Sequence, residues 1–186
     1  MTLKGFKKDF IEMAQIFIPA ILISWVITTF FIANTVVPSS SMEPTIMPGS
    51  RICGNRLAYK FGKKPERGEI IIFNYPDNPK VKFIKRLIGL PGDIVEIKED
   101  KNKPGFGFVY INGELLDEPY LKEKMEILED LKFEVPDDHY LFLGDNRNHS
   151  NDARYWENTY VSRDNLVAKA VFQYWKGFKI LDGNSR

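Results

Sequence analysis

Val81-Lys82-Phe83-Ile84-Lys85-Arg86-Leu87-Ile88-Gly89-Leu90-Pro91-Gly92-Asp93-Ile94-Val95-Glu96-Ile97 reads as strand, turn, strand. β-Branched and aromatic residues dominate both halves, and Pro91-Gly92-Asp93 separates them with turn chemistry. The same pattern extends outward from this segment. Upstream, Glu69-Ile70-Ile71-Ile72-Phe73 is a buried strand by composition, followed by the turn cluster Tyr75-Pro76-Asp77-Asn78-Pro79. Downstream, Phe108-Val109-Tyr110-Ile111 runs into Asn112-Gly113, a strong hairpin signal, and Leu115-Leu116 begins the return strand. His139-Tyr140-Leu141-Phe142-Leu143 and residues 166–175 are the last strands. Residues 120–133 mix charge with apolar spacing that suits a short helix, or else a solvated peripheral segment. Short strands between polar turns predict a mainly β fold, an antiparallel sheet of sandwich or barrel-like form.

The N-terminal end differs. Residues 16–37 contain no charged side chain, and a helix needs about 20 such residues to cross the hydrocarbon core. A secretory signal peptide has a shorter apolar core, about 7 to 15 residues, ending in small residues; Ala33-Asn34-Thr35 fits that poorly. A retained span is the better reading. Lys4, Lys7 and Lys8 precede it, partly offset by Asp9 and Glu12, and they place the N-terminus in the cytoplasm. The expected organisation is a cytoplasmic segment at 1–13, a transmembrane helix at 14–37 and an extracytoplasmic domain at 38–186. The single pass sits in the cytoplasmic membrane, with the domain on its outer face and the lipid bilayer as partner. A formal charge of +1 gives no reason to expect nucleic acid. The one cysteine, Cys53, has no partner for a disulfide and reads as structural, and no metal or other cofactor is expected.

Three segments carry chemistry. Pro38-Ser39-Ser40-Ser41-Met42-Glu43-Pro44-Thr45 places hydroxyls between prolines where the apolar run stops. It is a linker or a nucleophile segment, and Ser41 is the candidate nucleophile. In a strand, Lys85 shares a face with Val81, Phe83 and Leu87, while Lys82 and Arg86 share the other with Ile84 and Ile88. Burial on the apolar face lowers a lysine pKa, and a neutral lysine can serve a serine as general base; the alternative is a lysine whose head reaches water. The third segment, residues 144–154, is a dense polar loop that carries Asp145, His149, Ser150, Asp152 and Arg154. Ser150 would orient the Lys85 amine. Asp145, Asp152, Arg86 and Arg154 would pair to hold the loop. His149 and the more structural His139 permit a rival serine–histidine arrangement with Asp145 or Asp152.

In this order after an N-terminal anchor, the segments resemble bacterial type I signal peptidases. The matching residues are Ser41-Met42-x-Pro44-Thr45, Arg67-Gly68-Glu69-Ile70, Lys85-Arg86-Leu87-Ile88-Gly89-Leu90-Pro91-Gly92-Asp93 and the block 144–154. Tyr110-Ile111-Asn112-Gly113 and Asp117-Glu118-Pro119-Tyr120 resemble the shorter Gram-positive members, as does the single anchor. The resemblance implies a membrane-bound serine endopeptidase with a Ser41/Lys85 dyad that removes signal peptides from exported preproteins. It implies that Ser150 orients Lys85, and that the Ser41 N–H and the Ser39 hydroxyl hold the oxyanion. Arg86 with Asp145 and Arg154 with Asp152 are implied structural pairs. At Ser39 and Ser40 this chain departs from relatives that carry glycine. Met42, Ile46 and Phe83 are candidate walls of shallow substrate pockets. Tyr155, Trp156, Tyr174 and Trp175 are expected either at the membrane interface or in the core. Two other readings share these features: a specialised Ser/Lys protease with one dedicated substrate, and a non-enzymatic tethered domain that binds exported peptides.

Overall fold

The computed structural model describes residues 3–181 and 183, with side chains from Phe10 onward. Lys4, Lys7, Lys8 and Asp9 of the expected cytoplasmic segment lie outside the described side chains. Helix α1 (Leu3–Val26) continues through a wider turn at Ile27–Phe31. Phe10–Phe31 has a mean hydropathy of 2.0, and its apolar side chains are not buried among the described residues. The helix does not run to Val37. Thr28 Oγ1 donates to the Ser24 and Trp25 carbonyls, competing with the helical ladder. Residues Ile32–Val36 then form strand β1, because β2 (Arg51–Asn55) offers a pairing edge that a lone helix end lacks.

The remaining strands are β3 (Ile70–Tyr75), β4 (Asn78–Gly89), β5 (Ile94–Glu99), β6 (Phe106–Ile111), β7 (Glu114–Leu115), β8 (Met125–Glu126), β9 (Leu131–Glu134), β10 (His139–Leu143), β11 (Val161–Ser162), β12 (Leu166–Trp175) and β13 (Lys179–Ile180). They form two antiparallel sheets. The larger runs β1-β2-β12-β3-β4-β10-β11, with β13 on β12; the smaller runs β7-β6-β5-β9, with β8 on β6. The fold is mainly antiparallel β, as the alternation predicts. Asn112 and Gly113 both have positive φ, the geometry a two-residue hairpin turn requires. The 120–133 stretch takes the second of its two readings, a peripheral segment without a helix. Its apolar residues Met125 and Leu131 sit in β8 and β9, against β6 and β5.

The large sheet has a core on each face. Ile71, Phe73, Leu87 and Phe142 join β5 and β6 in one, and Ile70, Ile72, Ile84 and Ile52 form the other. Strand β4 is central. It pairs with β3 along its length but meets β10 only from Arg86 to Gly89. Its earlier half, including Val81 to Ile84, therefore keeps one free edge.

Candidate active site

Ser41 sits in a turn immediately after β1. Val37 N–H donates to Ser50 O at 3.0 Å, closing the strand end, and Ile46 N–H donates to Met42 O at 2.8 Å, closing one helical turn. Met42 and Ile46 are fully buried in the second core. They pin the serine turn from its core side. From the other side, Asn146 N–H donates to Ser41 O at 3.0 Å and its side-chain amide to Ser40 O at 3.1 Å. The Ser41 carbonyl is bound while its own N–H is used by no hydrogen bond among the described residues.

Lys85 reaches this turn from β4. Its Nζ is hydrogen-bonded to Ser41 Oγ, and Ser39 Oγ lies 3.2 Å from the same Oγ. Lys85 is only 3% exposed and makes no salt bridge among the described residues. Loss of solvation lowers its pKa to about 8; the fields of Asp152 and Asp145 oppose the shift and Arg154 adds to it. With the amine deprotonated, the Ser41 O–H donates to Nζ instead, which is the arrangement a general base needs. The dyad opens into a cleft of about 370 Å³. One wall is the end of β1, with Thr35 and Val36; the other is the free edge of β4, with Phe83 and Ile84.

A match to the family model described as signal peptidase, peptidase S26, covers residues 10–175. The protein named "Probable signal peptidase I-2" from Synechocystis sp. is 40% identical over 174 residues, 91% of this chain and 75% of that one. The chain belongs to the peptidase S26 family of signal peptidases. The Bacillus subtilis relative, "Signal peptidase I S", is 35% identical, covering 80% of each chain. A crystal structure of a signal peptidase I from Enterococcus faecalis V583 is 33% identical, with a TM-score of 0.47, over 57% of this chain and 97% of that one.

The other candidate residues surround the Ser41–Lys85 pair in layers. Arg86 is fully buried. Its Nε and Nη2 donate to the two Asp145 oxygens at 2.8 and 2.7 Å, its Nη1 donates to Gly68 O and Gly183 O, and its guanidinium stacks 3.8 Å from the Tyr120 ring centre. Thr45 Oγ1 donates to Asp145 Oδ2 at 2.5 Å, tying the serine turn to this pair. Arg154 grips Asp152 through Nε and Nη2 at 2.8 and 2.9 Å. Burial would raise the Asp152 carboxyl, but Arg154, the Gly144 N–H and nearby Ser150 hold it below its ordinary value.

Ser150 is buried, but among the described residues its hydroxyl makes no hydrogen bond of ordinary geometry, to Lys85 or to any other group. Gly144 explains how it comes so close. A Cβ there would lie 2.2 Å from Ser150 Oγ and 2.5 Å from Ser41 O, so only glycine lets the two serine segments meet. His149 lines the cleft and is exposed, with no hydrogen bond to Ser41. His139 bonds the Asp137 carbonyl at the surface.

Two partners were not anticipated by sequence reasoning. Glu118 takes a buried bidentate contact from Arg147, whose Nε donates to Gly144 O at 3.0 Å. Asn146 clamps the serine turn. Both lie in the quoted motif blocks, and the pairing of 118 with 147 is a long-range fact that spacing does not carry. Trp156 is in the core against Phe73, Tyr75 and Phe83, whereas Tyr155, Tyr174 and Trp175 are exposed.

Proposed function

We propose that this chain is a membrane-anchored serine endopeptidase that cuts signal peptides from exported preproteins, with Ser41 as nucleophile and Lys85 as general base. The observation that carries the reading is the desolvated Lys85 amine bonded to Ser41 Oγ. Lys85 takes the serine proton as Oγ attacks the scissile carbonyl, and it returns a proton to the leaving amine. The free Ser41 N–H and the Ser39 hydroxyl are the donors for the oxyanion. Ser150 lies beside Asp152, and it is the Asp152 carboxylate whose field reaches the Lys85 amine. Arg86–Asp145 and Arg154–Asp152 are structural.

The cleft lies between two free strand edges, the outer edge of β1 and the early half of β4. An extended peptide between them gains main-chain hydrogen bonds on both sides, with Phe83 on the cleft wall beside it. The helix Phe10–Phe31 spans the cytoplasmic membrane with its N-terminus inside, and the domain from residue 38 onward lies outside. Tethering raises the enzyme's local concentration where preproteins emerge. Exposed Tyr174 and Trp175 suit the interface.

The test is cleavage of a model preprotein in detergent by wild type, Ser41→Ala, Lys85→Met and His149→Ala. Ser41→Ala and Lys85→Met are folded and inactive, and His149→Ala cuts. An inactive His149→Ala beside an active Lys85→Met makes the base a histidine. A wild type that cuts none of a panel of preproteins favours a dedicated substrate or a binding module.

A further inference from the structure

We propose that the loop 56–64 is a second membrane contact, an aromatic and basic finger that engages the headgroups of anionic lipids beside the helix. The proposal rests on the reading of Phe10–Phe31 as a membrane span.

Position comes first. Arg56 N–H donates to the Phe31 carbonyl at 3.0 Å, and Arg56 Nε donates to the Ile32 carbonyl at 3.1 Å. Residue 56 is thus bonded to the last turn of the helix, at the level where the chain leaves the bilayer. The loop that follows starts at the membrane surface.

Charge comes second. Residues 51–65 hold Arg51, Arg56, Lys60, Lys63 and Lys64 and no acidic residue, in a chain whose net charge is only +1. Lys60, Lys63 and Lys64 are exposed. A cluster of basic side chains at the level of the headgroups is attracted by a negative leaflet.

Shape comes third. Two consecutive turns, Lys60 N–H to Leu57 O and Lys63 N–H to Lys60 O, present Phe61 at the tip. Phe61 is 94% exposed, and its backbone is in the left-handed region at φ 56. For a phenylalanine that conformation is unfavourable, and among the described residues no packing offsets it. The base of the loop is firm: Tyr59 donates to Glu69 at 2.8 Å, and Arg163 donates to the Lys63 carbonyl at 3.1 Å. A firm stem with a bare aromatic tip between lysines fits the amphipathic boundary of a bilayer, where rings and basic heads are both favoured.

The test uses the full chain with Cys53→Ser, reconstituted in bilayers of phosphatidylcholine with or without phosphatidylglycerol. A spin label is placed at Phe61→Cys or, in a second protein, at Ile21→Cys, and its collision with an aqueous nickel chelate and with oxygen is measured. At position 61 the phosphatidylglycerol bilayer shields the label from the chelate. High salt reverses the shielding, and so does Lys60→Gln/Lys63→Gln/Lys64→Gln. Each lysine contributes roughly fivefold to the bound-to-free ratio of the loop, and the triple variant loses on the order of a hundredfold. A label at 61 that stays aqueous in every bilayer, while the label at 21 is in lipid, overturns the proposal and leaves the anchor standing. Shielding that is equal with and without phosphatidylglycerol overturns the anionic preference. If the label at 21 is aqueous too, the anchor reading has failed, and the proposal fails with it.

Discussion

Lys85 and Arg86 are adjacent on β4, both are buried, and their surroundings treat charge in opposite ways. Arg86 is met by both Asp145 oxygens, two carbonyls and a tyrosine face, so every part of its guanidinium has a partner. Lys85 is met by a serine hydroxyl and an aromatic ring, with its nearest carboxylates engaged by Arg154 and Arg86. A full set of partners makes a buried cation a structural strut. A missing carboxylate makes it a base. One step along a strand is enough to separate the two, because successive side chains face opposite cores.

The largest way to break this comparison is to put a fixed charge in the base position. Lys85→Arg cannot lose its proton at any working pH, so preprotein cleavage falls on the order of 10³-fold or more while the chain still folds. A Lys85→Arg variant that still cuts at near wild-type rate removes Lys85 from catalysis. The next effect is on stability. Asp145→Asn leaves Arg86 buried without its counter-charge and costs about 3 to 5 kcal/mol, read as a fall in the denaturation midpoint.

The third prediction runs the other way. The folded Lys85 has a pKa of about 8, below the unfolded value, so between those values the unfolded state binds more protons and stability rises with pH. Lys85→Met removes the desolvated cation. It therefore stabilises the fold at pH 7 by about 3 kcal/mol, and the gain shrinks as pH rises toward 10. A loss of stability at pH 7 would mean that the ammonium is well solvated. The smallest effect sharpens the picture. Arg154→Met removes a positive field that lowers the Lys85 pKa, so the rising limb of the pH–rate profile moves to higher pH.

Much of this was legible in the chain. The boundaries of β10 and β12 follow from their apolar composition and the turns beside them, and the Asn112-Gly113 turn from its residue types. The alternation in β4 put Lys85 on an apolar face. It did not show that Arg86 is buried as well, since both faces of β4 are covered from Ile84 to Gly89. The same limit hid the burial of Met42 and Ile46: apolar residues beside a nucleophile read equally as exposed or buried, and only tertiary packing decides. Strand β1 was hidden in the anchor because a β-branched apolar run suits lipid and sheet alike. Strands β8 and β9 were hidden because their partners are remote in sequence. Trp156 belongs to the core because Phe73, Tyr75 and Phe83 converge on it, and no local pattern announces that.

The central claim is that burial lowers the Lys85 pKa far enough for its neutral amine to serve as the base. Titrating its Nζ directly tests it: the full chain is labelled at lysine Cε, the Lys85 resonance is assigned by its loss in Lys85→Met, and its shift is followed with pH. The account predicts a midpoint near 8, well separated from the surface lysines. A midpoint among them, at about 10.4, would contradict it.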